Sequence, residues 1–413
     1  MPTRLPYDVL VQVMEHVLNL RDRGTLSERP VLSSACTHQN APLVQELLIK
    51  GYISTRPPPL FVLSTTLADA IQKFVNLSKV TFCPTTFHEG LFTESLELLP
   101  KLNHLRELTV NISCMGEQTA PLLARVEGLR RLTLHSPGRT ILDRLPNWLG
   151  KLSPNLIGLH LKDNCGSITP GVLRSFLPHI RANLREVTLG LSFSLADEDV
   201  FSFLAELPHL ERLELQYYLQ LKEPNTRPNL PHLKYFAAKY TPPSTRRDAL
   251  ALCKWIRLVI SHSPVEHVQL ICDNDHGGIS NVPMDSIIDH LVKKHSTTLR
   301  VLDFGRAYVG VGAAKAVFSS CLLLEEVHVA GRATVLDTFQ ECLPRLRRLH
   351  TAGFDIRNAK AKTKKQLAND EAATKIISSG EPALRRLAID GTKWEGSWVS
   401  GPDGDVHFVV SRS

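Results

Sequence analysis

Residues 156–164 read LIGLHLKDN, and this stretch decides the fold because its spacing of apolar residues recurs along the chain. The unit consists of an apolar residue, two polar positions, an apolar residue, one variable position and a third apolar residue. Successive copies begin 22 to 38 residues apart. A unit of this size buries its apolar positions only by stacking on its neighbours, so the repeat predicts a solenoid. Twelve copies begin at Leu77, Leu105, Leu129, Leu156, Leu184, Leu210, Leu233, Val265, Leu299, Leu324, Leu346 and Leu384.

Each copy predicts a short strand followed by a turn and a helix. With the first apolar residue as position one, positions four and six of the strand point into the core, and positions three, five and seven point outward. After the Leu156 strand, apolar residues recur at helical spacing from Ile168 to Leu177. The predicted fold class is therefore α/β, a curved parallel sheet lined outside by helices.

The ends of the chain do not carry the repeat. Residues 1–55 show helical periodicity, with one predicted helix near the N-terminus and a later one from Pro42 to Ile49. Residues 56–392 form the predicted solenoid. Residues 393–413 alternate apolar and polar residues around a turn at Ser400–Gly404, which predicts a hairpin that closes the end of the solenoid.

Two segments resemble known families. The spacing of Leu156, Leu159, Leu161 and Asn164 resembles the leucine-rich-repeat consensus, in which the asparagine side chain bonds backbone groups of the turn. Residues 5–17, LPYDVLVQVMEHV, resemble the opening of an F-box, and the segment from Leu26 to Ile53, which ends in APLVQELLIKGYI, resembles its closing helices. The whole chain is similar to F-box-like proteins common in basidiomycete fungi.

This resemblance implies a function. An F-box followed by leucine-rich repeats is the arrangement of substrate receptors in cullin-based, SCF-type ubiquitin ligases. It implies a non-catalytic chain that binds a Skp-family adaptor near its N-terminus and a target protein through its repeats. A repeat scaffold with a degenerate F-box and no ligase role is the alternative. The residues that the resemblance assigns to adaptor binding are Leu5, Pro6, Val9, Leu10 and Val13.

The outward strand positions form a candidate binding face on the predicted sheet. Basic residues and histidines are frequent there, which suits an acidic partner, with arginine and tyrosine as anchors. The alternative is that these positions are polar only for solubility. The candidate residues are Arg131, His135, His160, Lys162, Arg212, Gln216, Tyr235 and Lys239, with His328, Arg348 and His350 in later repeats.

Other motifs are weaker. No cysteine or carboxylate accompanies the outward histidines at ligand spacing, so no metal is expected. Gly305, Gly310 and Gly312 lack the third glycine of a nucleotide-binding turn, and residues 272–278 lack the closing glutamate of a calcium loop. We therefore expect no cofactor. A basic cluster at residues 357–365 fits either a nuclear-import signal or a solvated helix face.

Composition limits the compartment and the partners. A net charge of +7 over 413 residues, with 6% aromatic residues, is too dilute to favour nucleic acid. The eight cysteines lie at least 19 residues apart, as expected for unpaired thiols in a reducing compartment. Neither a signal peptide nor a membrane-spanning run is present, so the expected location is the cytoplasm, the nucleus or both.

Overall fold

The computed structural model describes residues 41–52, 60–85, 90–220, 224–273, 280–379, 383–400 and 405–412. The chain divides into two compact units, residues 1–207 and 208–413. Strands and helices alternate along both units.

The first unit is built on parallel strands that pair in the order of the sequence. The strands are β1 (Glu46–Tyr52), β2 (Lys79–Thr85), β3 (Glu107–Val110), β4 (Arg131–His135), β5 (Gly158–Asn164) and β6 (Glu186–Leu191). The connecting helices are α1 (Leu60–Lys73), α2 (Thr93–Leu98), α3 (Ala120–Leu123), α4 (Arg139–Leu142), α5 (Leu145–Leu152), α6 (Pro170–Ile180) and α7 (Asp197–Ala205). Short 3₁₀ turns lie at Ala41–Leu43, Leu99–Lys101 and Ile112–Cys114.

The second unit continues the same plan and ends differently. Its strands are β7 (Arg212–Gln216), β8 (Tyr235–Tyr240), β9 (His267–Cys272), β10 (Val301–Tyr308), β11 (Glu326–Gly331), β12 (Thr351–Ile356), β13 (Arg386–Ile389), β14 (Thr392–Ser400) and β15 (Val406–Arg412). Strands β7 to β13 pair in parallel, whereas β14 and β15 pair antiparallel. Its helices are α8 (Arg246–Ile260), α9 (Asp285–His295), α10 (Val311–Ser320), α11 (Ala333–Cys342), α12 (Ala361–Leu367) and α13 (Asp370–Ser379), with a 3₁₀ turn at Leu343–Arg345.

The apolar positions of the repeat form the core. In β4, Leu132 and Leu134 are fully buried, as is Leu129 just before the strand, whereas the outward Arg131 and Thr133 keep partial exposure. Within each unit, the strands pair residue for residue over most of their length, with irregularities toward the ends of the β5–β6 and β10–β11 pairings, so each repeat position forms a row. The predicted α/β leucine-rich-repeat fold class is confirmed in both units.

The predicted turn and terminal hairpin are also present. The Asn164 carboxamide oxygen accepts a hydrogen bond from Gly166 N–H at 3.0 Å, so this asparagine bonds the turn as the repeat consensus implies. Strands β14 and β15 pair over seven residues, and the Trp394 ring is buried. Its Nε1 donates to Asp370 Oδ1 of α13 at 2.8 Å, which attaches the hairpin to the preceding helix.

The helix predicted from Pro42 to Ile49 is wrong. Residues 46–52 form β1, which pairs in parallel with β2. Leu47 and Ile49 are buried while Glu46 and Lys50 are exposed, so burial alternates with the period of a strand. A short apolar run fits either period, and pairing to β2 selects the strand. The sheet therefore begins inside the segment assigned to the N-terminal module.

The repeat placed at Leu346 is shifted by three residues. Thr351 pairs with Glu326, the third position of the preceding repeat, so position one is Leu349. Leu346 lies in the turn before the strand, where its N–H bonds Leu343 O. The sequence from Leu343 to Leu349 places leucines three residues apart, and either register satisfies the first two apolar positions.

No helix in the described part of the chain is both long and apolar enough to cross a bilayer. Its seven cysteines are unpaired, and five of them are buried.

Gly353 tests the corrected register. It lies at position five of the repeat that begins at Leu349, opposite His328. A Cβ there would collide with the His328 imidazole. We predict that Gly353→Ala lowers the free energy of unfolding by about 1–3 kcal/mol, as overpacking does. The added substitution His328→Ala should recover most of that loss in urea denaturation. As a control, Gly312→Ala adds a methyl to helix α10 where nothing lies within 4 Å, and it should not destabilise.

Two histidines on α9, the buried His295 and the half-buried His290, should make the second unit sensitive to acid. The His290 and His295 rings lie 5.4 Å apart, and Nε2 of each is buried without a hydrogen-bond partner. Burial, followed by the charges of His290 and Lys294, lowers the pKa of His295 to about 4, and burial likewise lowers the pKa of His290. The folded protein thus favours neutral rings.

Because the folded pKa is depressed, the stabilisation is complete above the ordinary histidine pKa and is lost as the pH falls toward 4. For His295 alone, we predict that unfolding costs about 2 kcal/mol less at pH 5 than at pH 7. The measurement is urea denaturation at both pH values. His295→Leu should reduce the difference, whereas His104→Leu, at an exposed site, should leave it unchanged. An equal pH response in the wild type and His295→Leu would contradict the prediction.

Candidate functional site

The third positions of the first unit form a row of opposite charges. The row reads Glu46, Lys79, Glu107, Arg131, Gly158 and Glu186 from β1 to β6. Lys79 Nζ lies 3.4 Å from Glu46 Oε2, and Arg131 Nη1 lies 2.8 Å from Glu107 Oε1. The cations of this row therefore face carboxylates of neighbouring repeats.

Arg131 reaches two strands at once. Its Nε and Nη2 donate to the two carboxylate oxygens of Glu186 at 2.9 and 2.8 Å, across the intervening strand β5. Gly158 makes this possible, because a Cβ there would lie only 3.1 Å from Arg131 Cγ and 3.2 Å from Glu186 Oε2. Burial raises the pKa of Glu186, but hydrogen bonds from Arg131 and His160 outweigh it and hold that pKa at about 2. The predicted anchor Arg131 is thus held by its own sheet.

The two histidines of this surface also have partners. His160 Nδ1 lies 2.8 Å from Thr188 Oγ1, and its Nε2 lies 3.7 Å from Glu186 Oε2. His135 Nδ1 lies 2.6 Å from Asp163 Oδ2. The two rings therefore bond different residues of the sheet. Lys162 lies at position seven beside His135 in the register.

In the second unit, Arg212 and Tyr235 begin a chain of contacts across four strands. The Arg212 guanidinium lies 3.9 Å from the Tyr235 ring centroid, a cation–π contact. Tyr235 Oη donates to Gln269 Oε1 at 2.7 Å, and Gln269 Nε2 donates to Asp303 Oδ2 at 2.8 Å. Burial raises the pKa of Tyr235, which keeps its hydroxyl available as a donor.

His267 completes this second-unit cluster. Its ring centroid lies 4.5 Å from that of Tyr235, and its Nε2 is buried without a hydrogen-bond partner. Burial, and then the nearby charge of Arg212, lowers the pKa of His267. The folded protein therefore favours the neutral form of the His267 ring, which lies beside the Tyr235 ring.

Gln216 and Lys239 converge on one carboxylate. Gln216 Nε2 lies 3.4 Å and Lys239 Nζ 3.8 Å from Asp273 Oδ2, which follows the end of β9. Both candidates lie at position seven, at the C-terminal ends of β7 and β8. The Gln216 carboxamide and the Lys239 ammonium group therefore share the Asp273 carboxylate as a partner.

Moving the start of this repeat from Leu346 to Leu349 removes two candidates from the outward rows. Arg348 precedes the Leu349 repeat, and His350 occupies position two, before the strand. Thr351 and Gly353 take the outward positions instead. His328 stays at position five, opposite Gly353.

The adaptor residues predicted from the F-box resemblance, Leu5, Pro6, Val9, Leu10 and Val13, lie outside the described residues. The calcium-like loop falls largely outside them as well.

The glycine turn of the second unit has an internal partner. Gly310 precedes α10, and its N–H donates to Asp285 Oδ1 at 2.7 Å. A carboxylate of the chain therefore occupies the place where a phosphate would bind. Among the described residues, no group of three or more His, Cys, Asp or Glu side chains is arranged to hold a metal ion.

The basic cluster divides between buried and exposed residues. Arg357 is only 7% exposed and pairs with Asp355, with Nη2 2.6 Å from Oδ2. Lys362 and Lys365 are exposed on α12, while Lys364 Nζ lies 3.3 Å from Asp390 Oδ2. This arrangement fits a solvated helix face for the lysines, and Arg357 is not part of it.

Taken together, the sheet surface offers hydrogen bonds and paired charges more than free positive charge. The residues that sequence reasoning missed are the partners of the cations and aromatics. Five of them lie at the third or fifth position and could have been found by reading these positions of successive repeats side by side, whereas Asp163 and Asp273 lie beyond position seven. These partners are Glu107, Asp163, Glu186, Thr188, Gln269, Asp273 and Asp303.

Comparisons with known proteins find similar structures only at low identity. No protein-family model matches the chain, and no curated protein matches it significantly. The leucine-rich-repeat protein LegL7 from Legionella pneumophila is 13% identical over 82% of this chain and 90% of its own, with a TM-score of 0.38. The complex of Rad7 and Elc1 in yeast contains a chain that is 12% identical, with coverages of 92% and 88% and a TM-score of 0.45.

A leucine-rich-repeat protein of Leptospira interrogans is 11% identical, with coverages of 92% and 98% and a TM-score of 0.29. At these values the likenesses carry no information about function.

The bridge between Arg131 and Glu186 can be measured. We predict a coupling energy of about 1–2 kcal/mol from a double-mutant cycle of Arg131→Met and Glu186→Gln, read by chemical denaturation. The control pair is Arg139 and Asp143, whose exposed side chains lie 3.8 Å apart and should couple by less than about 0.5 kcal/mol. Equal coupling energies in both pairs would show that the contact of Arg131 with Glu186 across Gly158 is no stronger than an exposed ion pair.

Proposed function

We propose that this protein is the substrate-recognition subunit of a cullin-based, SCF-type ubiquitin ligase. Residues 1–55 would bind a Skp-family adaptor through Leu5, Pro6, Val9, Leu10 and Val13, and the repeats would bind a target protein. The observation that carries the proposal is the pairing of an F-box-like N-terminal sequence with in-register polar rows on a repeat sheet.

The sheet is suited to protein binding because its outward side chains are already held in place. Arg131 bonds carboxylates of two other strands, and Tyr235 is fixed between Arg212 and Gln269. Side chains ordered before binding lose less conformational entropy when a partner docks. Tyrosine is also one of the residue types that most often dominate binding energy.

In this proposal the chain itself is not catalytic. Holding the target and the adaptor on one chain raises the effective concentration of a target lysine near the activated ubiquitin. The bond-forming chemistry belongs to the other subunits of the ligase.

Co-purification tests the proposal. We predict that the full chain, expressed in fungal cells, co-purifies with Skp-family and cullin subunits, and that Leu5→Ala with Pro6→Ala reduces the recovered adaptor at least tenfold. The matched control is Ile112→Ala, which removes a 64% exposed apolar side chain from the first unit and should leave the yield unchanged. If the wild type recovers no adaptor, or the double variant recovers as much as the wild type, the chain is instead a repeat scaffold without a ligase role.

A further inference from the structure

A groove at the N-terminal edge of the first unit has a different character from the sheet surface. Position two of each repeat lies just before its strand, and the backbone fixes these residues in a row. Arg106 O accepts the N–H groups of Arg130 and Arg131 at 2.7 and 3.1 Å, and Arg130 O accepts those of Ile157 and Gly158 at 2.9 and 3.0 Å. Residues Arg106, Arg130 and Ile157 are therefore stacked at the strand spacing of about 4.8 Å.

The row of second positions differs from the third row in the charged residues that it contains. From β2 to β6 it reads Ser78, Arg106, Arg130, Ile157 and Arg185, with no carboxylate. Over the same strands the third row contains two glutamates against one lysine and one arginine. Of these two rows, only the second therefore has more cationic than acidic residues.

The groove has a volume of about 450 Å³ and is open to solvent. Its lining combines two arginines with apolar and amide groups: Arg106, Gly128, Arg130, Pro154, Asn155 and Ile157. This volume falls within the range of ligand sites, roughly 300–1,000 Å³, but the openness favours a segment of a larger partner over an enclosed small molecule.

The two guanidinium groups are held differently. Arg106 Nη1 donates to the carbonyls of Asn103 and Leu105 at 3.1 and 3.0 Å, which fixes it along the edge. Gly128 has a φ of +72°, and even a Cβ there would stand 3.6 Å from Arg106 Nη1. Arg130 is exposed, and among the described residues no hydrogen bond or ion pair engages its guanidinium. The acidic side chain nearest in sequence is the exposed Glu127.

We propose that this edge groove binds an acidic peptide segment of a protein partner, in which two acidic residues are separated by one other residue. In an extended peptide, alternate side chains point to the same side, so residues i and i+2 can present their carboxylates to Arg106 and Arg130. Guanidinium groups bind carboxylates through paired, charge-assisted hydrogen bonds. Pro154 and Ile157 supply apolar contact for the aliphatic stems of those two acidic side chains.

Nucleic acid fits this groove less well. Binding of single strands relies on aromatic side chains on which bases stack, and no aromatic residue lines the groove. The identity of the partner as a degradation target rests on the proposed function, whereas the binding of an acidic segment does not.

The test uses the purified full chain without adaptor. A fluorescein-labelled peptide with the core Glu-Leu-Glu is titrated by fluorescence anisotropy, with Gln-Leu-Gln as the neutral comparison. We expect saturable binding of the acidic peptide only, weakened at least tenfold by Arg106→Glu with Arg130→Glu. Arg139→Glu reverses the charge of an arginine with a 90% exposed side chain in the same unit, and it should bind the peptide as the wild type does.

Three results would overturn the inference: no binding of the Glu-Leu-Glu peptide to the wild type, an equal loss in Arg139→Glu, or tighter binding of a single-stranded oligonucleotide at the same groove. Because charge reversal could disturb the edge, Arg106→Gln with Arg130→Gln is measured in parallel and must also weaken binding. Peptide binding by a chain that recovers no adaptor would support the groove and reject the ligase role.

Discussion

The residue-for-residue parallel pairing of the strands is the constraint on which the structure depends. Within each unit it places the same position of successive repeats in one row, with neighbours about 4.8 Å apart. At that distance like charges on adjacent strands would destabilise the sheet, and opposite charges stabilise it. The row Glu46, Lys79, Glu107, Arg131, Gly158, Glu186 follows from this. Positive and negative side chains alternate along this row. Where Gly158 interrupts the alternation, Arg131 reaches over the glycine to Glu186.

The apolar repeat was sufficient to predict the fold class and eleven of the twelve strand positions. Burial of the first, fourth and sixth positions is a local property with a fixed period, so it can be counted along the chain. The two errors arose where the period is ambiguous. The run Leu47, Leu48, Ile49 suits a helix or a strand, and the leucines from Leu343 to Leu349 suit two registers. In both places pairing with the neighbouring strand decided the outcome, and that information is not local.

The candidate surface was less predictable than the fold. The outward positions were assigned correctly for Arg131, His160, Arg212 and Tyr235, but their environment was not. A count of basic residues suggested a positive face, because it took each repeat separately. The partners of Arg131 come from one repeat before it and two repeats after it, and those of Tyr235 from one repeat on each side. Charge on a solenoid is therefore a property of rows, and only a register alignment of the repeats reveals it.

A charged side chain that is well ordered is not for that reason a strong contributor to binding. A cation that already has two carboxylates gives up those bonds before it can serve a partner, so its net contribution to affinity is small even though its position is well defined. The compensated rows of the sheet then act as a rigid, shape-defining surface, and uncompensated groups contribute more to charge-based selectivity. In the first unit Arg130 is such a group, and it lies at a second position, outside the row where opposite charges alternate. A repeat protein can thus keep its sheet stable through internal ion pairs and still present net charge to a partner along the edge where its strands begin.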